Sequence, residues 1–226
     1  MGKRPSRSLY TAILMSLFDK DCQLCPRLST HLENVRKNYP GYHARPVPSF
    51  GKEKPKLLIV GLAPGLHGAN ATGRPFTGDY AGILLYKTLF DFGLSSQPLS
   101  THVKDDLRLS NCRITNAVRC LPPENKPTGD EIKTCNPYLQ DELKRILPGG
   151  VILTLGHIAH NAVVNALQLK QGAFPFGHNC LHDLPGNRWL LNSYHCSRYN
   201  TQTRRLTEDM FTAVFTKAVR LMNVTA

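Results

Sequence analysis

Four short apolar runs recur along the chain, at residues 56–62, 112–118, 150–155 and 188–193. They are continuous rather than alternating, which predicts strands buried on both faces. The stretches between them carry apolar residues at helical spacing, at 81–92, 130–147, 157–169 and 207–222. Strands alternating with helices predict an α/β fold, a parallel sheet covered on both sides with its strand-end loops gathered along one edge. That edge is where open α/β sheets bind ligands. Asp130 and Thr207 read as helix starts, the latter followed by Glu208 and Asp209, whose charges favour a helix N-terminus. Residues 39–55 and 121–129 are rich in Pro and Gly and too irregular for regular elements. The reading is one domain over residues 1–226, with a helical, cysteine-bearing N-terminal segment packed on it.

Lys3, Arg4 and Arg7 precede an apolar stretch at 11–18, as at the front of a signal peptide. Ser16 interrupts that stretch, Asp19-Lys20-Asp21 ends it, and no small-x-small cleavage site follows, so an amphipathic helix and an intracellular (cytoplasmic) protein are expected. No run reaches the roughly eighteen apolar residues of a membrane helix. With 41% hydrophobic and 19% charged residues in 226, the chain has a globular composition, which excludes a disordered one. Charge changes the picture more. The net charge is +12, and eleven basic residues against four acidic ones fall within the first 56 positions. A surplus placed this way points to a polyanion, nucleic acid first. Seven cysteines in a chain long enough to fold without disulfides, with no export signal, raise metal or cluster ligation instead.

Candidate chemistry sits at the strand ends. After the first strand comes G-L-A-P-G-L-H-G-A-N-A-T-G-R-P-F-T-G-D, residues 61–79, with five glycines and two prolines. A loop of this length in a compact domain is uncommon unless functional. It lacks the Gly-Lys-Ser/Thr of a phosphate loop and the glycine spacing of a dinucleotide turn. The second strand ends in T-N-A-V-R-C, placing Asn116 at the same edge, where its amide either reads a base edge or caps a turn. The fourth leads into S-Y-H-C-S-R-Y-N-T-Q-T-R-R-L-T, residues 193–207, where basic residues beside an aromatic suit phosphate contact and stacking or wedging between bases. Cys22 and Cys25 form C-x-x-C, and Cys120 and Cys135 form a distant pair; four thiolates would hold zinc or a [4Fe–4S] cluster. Cys112 and Cys180 read as buried packing residues, while Cys196 fits either role. His157 with His160, and His178 with His182, lack a third ligand in view.

Taken together, these motifs resemble the iron–sulfur uracil-DNA glycosylases, specifically the B type or family five. The resemblance is carried by G-L-A-P-G with G-R-P-F-T-G-D, by I-T-N-A-V-R-C, by H-x-S-x-x-N-T-x-T-x-R-L-T, and by the C-x-x-C with its distant pair, from Cys22 to Thr207. It implies a three-layer α/β/α fold around a central four-stranded parallel sheet, and a monomer acting on DNA that contains uracil or other deaminated bases. It also implies a structural [4Fe–4S] cluster on Cys22, Cys25, Cys120 and Cys135, with Arg27, Arg36, Lys37, Arg119 and Lys126 meeting phosphates nearby. Leu62 and Ala63 stand where better-known uracil glycosylases place a polar, water-positioning residue, in keeping with the B type.

The activity so implied is extrusion of the damaged base and hydrolysis of its N-glycosidic bond. Gly61, Ala63 and Gly65 would border the base, Phe76 would stack on it, Asn116 would bond its edge, and His195 would donate to the oxygen that gains charge. Asp79 is the only carboxylate inside a motif, so it either stabilises the sugar cation and activates water or merely caps the next helix. Gly65 stands where the tightest uracil enzymes carry a Tyr, implying a roomier pocket that also takes hypoxanthine unless Leu66 or His67 closes it. Ser197, Arg198, Tyr199, Asn200 and Arg205 would contact DNA, with Arg198 or Tyr199 as the wedge. The rival reading is a non-catalytic iron–sulfur DNA-binding module; a zinc-dependent hydrolase is disfavoured by the missing H-x-E and P-C-x-x-C.

Overall fold

A computed structural model describes residues 18–223, so the expected helix at 11–18 lies outside the described residues except for Phe18. The strands are β1 (Phe50–Gly51), β2 (Leu57–Gly61), β3 (Cys112–Asn116), β4 (Val151–Leu155), β5 (Leu181–Leu184) and β6 (Arg188–Ser193). The helices are α1 (Pro26–Asn38), α2 (Ala69–Thr72), α3 (Tyr80–Asp91), α4 (Gly129–Lys144), α5 (His157–Ala166), α6 (Arg198–Gln202) and α7 (Glu208–Asn223). One sheet runs β1-β3-β2-β4-β6-β5. Its inner four strands are mutually parallel, as expected. The expected four-stranded sheet is extended to six, because β1 and β5 add antiparallel edges.

Successive residues on a strand point to opposite faces, so each apolar run fills two cores. Leu57 and Ile59 of β2 pack with Leu85 and Leu89 of α3 and Phe211 and Phe215 of α7. Leu58 and Val60 pack on the other side with Leu139 and Leu143 of α4 and Val163 of α5. This is the three-layer α/β/α arrangement.

Helix boundaries differ from expectation where local hydrogen bonds intervene. Helix α4 starts at Gly129 because Thr128, not Asp130, is its cap; the Thr128 hydroxyl and the Glu131 carboxylate satisfy each other's backbone N–H. It stops at Lys144, and Leu147 N–H turns back to the Pro55 carbonyl. Thr207 caps α7 as expected, its hydroxyl accepting from Met210 N–H. The irregular stretches contain β1 and a 3₁₀ turn at Pro123–Asn125.

Candidate functional site

The turns after β2, β3 and β6 converge. Gly61 ends β2, and a Cβ there would stand 2.5 Å from the Asn116 amide oxygen and 2.6 Å from the Phe76 ring. Only hydrogen at this position lets the ring and the amide close over the strand end. Phe76 adopts φ 55°, a left-handed conformation unfavourable for a bulky residue. Tyr86 holds the turn by donating to the Pro75 carbonyl at 2.9 Å. Arg74 of the same motif is buried and donates to Ser100, Asp105 and the Val103 carbonyl, fastening the 95–110 segment to the loop. Burial alone would raise the Asp105 pKa, but the Arg74 guanidinium and backbone N–H groups hold it down at about 2.

Asp79 caps α3, its Oδ1 accepting from Gly82 N–H at 2.8 Å. Its Oδ2 occupies the space beside Gly68, where a Cβ would lie 2.7 Å away. Burial raises its pKa above the ordinary carboxylate value, outweighing the N–H groups of Gly82 and Ala81. The His195 ring stacks over Phe76 with centroids 6.0 Å apart. Burial pushes its pKa down to about 4, so the imidazole is neutral at neutral pH. The turn that presents it is fixed by Asn200, whose amide donates to the His195 carbonyl at 2.8 Å, and by Ser197, which caps α6. Cys196 is buried, its thiol directed to the Ala81 carbonyl, so it packs rather than ligates.

Phe76, Asp79, Asn116 and His195 line one cavity of about 400 Å³, with Ala63, Gly65, Ser197 and Arg198 on its walls. Gly61 lies beneath the floor instead of on the wall. Tyr199 stands 70% exposed on α6, outside the cavity. Asn200 and Arg205 border a neighbouring cavity instead. Leu66 and His67 do not line this cavity. Leu66 packs with Leu32 and Val35 of α1, and His67 is bonded to the Tyr42 hydroxyl at 2.8 Å. Four wall residues escaped sequence reasoning: Ala69, Tyr80, Ala81 and Asn125. A polar residue at a left-handed position in a Pro-rich turn is a signal that could have found Asn125.

The four cysteines come together. Cys22, Cys25, Cys120 and Cys135 ring a gap between α1, the turn after β3 and α4. Among the described residues no group of three or more His, Cys, Asp or Glu is arranged to hold a single metal ion. Burial and mutual repulsion push Cys120 up to about 12 and Cys135 up to about 11, so thiolates at these two positions require cationic compensation. Such a donor set fits an iron–sulfur cluster, which is larger than one ion and is held by four thiolates. The Cys135 sulfur also accepts the Arg119 backbone N–H at 3.4 Å.

Other placements correct the sequence. Arg119 is 2% exposed and bonded to Ser49 and Glu142, so it cannot meet phosphates. Arg27 pairs with Glu131 and Lys126 with Glu124, while Arg36 and Lys37 stay exposed on α1. Cys180 is half-buried beside His182, unlike the fully buried Cys112. His160 is bonded to Asn192 and the Phe174 carbonyl, so it is a satisfied core histidine. No helix among the described residues is long and apolar enough to cross a membrane.

Comparison with known proteins gives the same picture. The profile of the Uracil DNA glycosylase superfamily matches residues 48–219. The Type-5 uracil-DNA glycosylase of Thermus thermophilus is 48% identical over 205 residues, covering 88% of this chain and 93% of its own. That of Mycobacterium bovis is 40% identical over 211 residues, covering 90% and 79%. That of Pyrobaculum aerophilum is 38% identical over 202 residues, covering 88% of each.

Proposed function

This chain belongs to the Uracil DNA glycosylase superfamily, and from that membership we propose that it removes uracil from DNA by hydrolysing the N-glycosidic bond, leaving an abasic site. The observation that carries the reading is the convergence of Phe76, Asp79, Asn116 and His195, from three separate turns, on one cavity. A target base cannot be reached inside a stacked duplex, so it enters this cavity extruded. Phe76 stacks on its face, and the Asn116 amide bonds its edge with both a donor and an acceptor. As the C1′–N bond breaks, its electron pair moves into the base. The neutral His195 donates a hydrogen bond to the base oxygen that gains this charge, on the scale of an oxyanion donor worth about 3 kcal/mol. The sugar becomes cationic, and the Asp79 carboxylate both stabilises it and takes the proton of the water that adds to C1′. Its role as helix cap engages Oδ1, while the residue also lines the cavity.

Nothing stands within 4 Å of a Cβ built on Gly65, so the wall is open there and the cavity also accepts a deaminated purine such as hypoxanthine. Arg198 and Tyr199, exposed at the rim on α6, supply the wedge for the vacated stack, and Arg205 adds a phosphate contact. A [4Fe–4S] cluster on Cys22, Cys25, Cys120 and Cys135 would supply iron–thiolate bonds that pin α1, the turn after β3 and α4 together, a structural role. The chain works as a monomeric, single-domain intracellular enzyme with DNA as its partner.

The test is incubation with an oligonucleotide carrying one uracil, followed by alkali. A strand break at the uracil is expected. Tight binding without any break would favour the non-catalytic DNA-binding module.

A further inference from the structure

A second cavity, of about 260 Å³, abuts the first and shares two of its walls, Leu62 and His195. Its lining is largely aromatic and apolar. Tyr194 and Phe176 meet with centroids 6.2 Å apart, and Leu155 and Ile158 close the floor and side. Each ring is packed against others, Phe176 edge-to-face with His157 and His160, and Tyr194 stacked with His178 at 5.0 Å. The cation at its rim, Arg205, stands over the Tyr194 ring, its guanidinium carbon 4.9 Å from the ring centroid. Aromatic rings with a cation beside one of them recognise flat, π-faced ligands by stacking. The catalytic reading uses none of these rings.

We propose that this cavity receives the nucleobase next to the extruded one, so that the protein grips two adjacent bases of one strand, one in each cavity. The inference rests on the base-excision reading and deepens it. The preferred substrate is a strand whose neighbouring base is free to leave its stack, as in single-stranded or mispaired DNA. Consecutive nucleotides on a strand lie close enough that two cavities separated by the thickness of one side chain are reached without stretching the backbone.

The test uses single-stranded oligonucleotides with one uracil and either an intact neighbourhood or a reduced abasic residue immediately 5′ or immediately 3′ of it. Loss of the base that fills the second cavity is expected to raise KM about fivefold to a hundredfold, with kcat unchanged, on one of the two sides. In Phe176→Leu, which keeps apolar bulk but removes the ring face, that difference between intact and abasic-neighbour strands should disappear. Wild-type KM values within twofold for all three strands would overturn the proposal, as would a Phe176→Leu variant that keeps the full difference. The same strands carrying 2′-fluoro-deoxyuridine, titrated by fluorescence anisotropy, report the neighbour effect without cleavage. A protein that binds with the neighbour effect but releases no uracil would refute the excision reading and leave the two-base grip standing.

Discussion

At the residue scale, the proposed division of labour between Asp79 and His195 rests on two groups displaced in character by burial. Asp79→Asn should lower kcat on the order of a hundredfold or more while leaving DNA affinity within about twofold, measured by single-turnover excision and anisotropy. In the wild type the acid limb of kcat should lie above the ordinary carboxylate range, and it should vanish in Asp79→Asn, because burial raises that pKa. No inflection belonging to His195 should appear between pH 6 and 8, since its pKa is held at about 4. The same displacement affects stability. Below pH 6.5 the unfolded chain takes up a proton on His195 that the folded chain refuses until about pH 4, so this residue's contribution falls as the solution is acidified across that window. Gly61→Ala should cost about 1–3 kcal/mol in urea unfolding and also weaken uracil binding, because the added methyl drives apart Phe76 and Asn116. Phe76, Asp79, Asn116 and His195 were legible because each sits in a motif at or beyond a strand end, and the resemblance of those motifs implied their roles. Asn125 was not, since packing of distant segments brings it to the wall, and Tyr80, directly after Asp79, lies just beyond the motif that drew attention. Arg119 misled because charge in a sequence reveals nothing of the Glu142 that receives it.

At the scale of elements, the four parallel strands could be read because each is sealed on both faces and therefore uniformly apolar. The edges could not. Strand β1 is two residues long, and β5 has only Leu184 buried, so neither leaves a periodic trace. Helix α1 was foreseen only as a helical segment, although Leu28, Leu32 and Val35 fall on one face and Pro26 opens it. What joins strand to helix here is an ionic knot that the pattern hides. Glu142 of α4 accepts from Arg113 of β3, from Arg119 beyond it and from Ser49 before β1, all largely out of water. Glu142→Gln leaves two guanidinium groups without a countercharge and should cost about 3–5 kcal/mol in chemical denaturation, with catalysis intact below the transition.

At the scale of the whole molecule, the +12 surplus should make DNA affinity fall steeply with salt, linearly in a plot of log K against log salt. Removing iron from protein that carries the proposed cluster should lower Tm and expose residues 121–128 to protease before the sheet opens. Cys120 adjoins the start of that segment and Cys135 lies on α4 beyond its end, with Asn125 between them. An active site assembled from positions as far apart as 63 and 198 also has a temporal meaning. A nascent chain emerging from the ribosome already displays its most cationic stretch while His195 is still unsynthesised, and the rings of Phe211 and Phe215 that complete one core arrive later still. A chain truncated before α7 keeps the cationic stretch but lacks Phe211 and Phe215, so it should release no uracil from the single-uracil oligonucleotide.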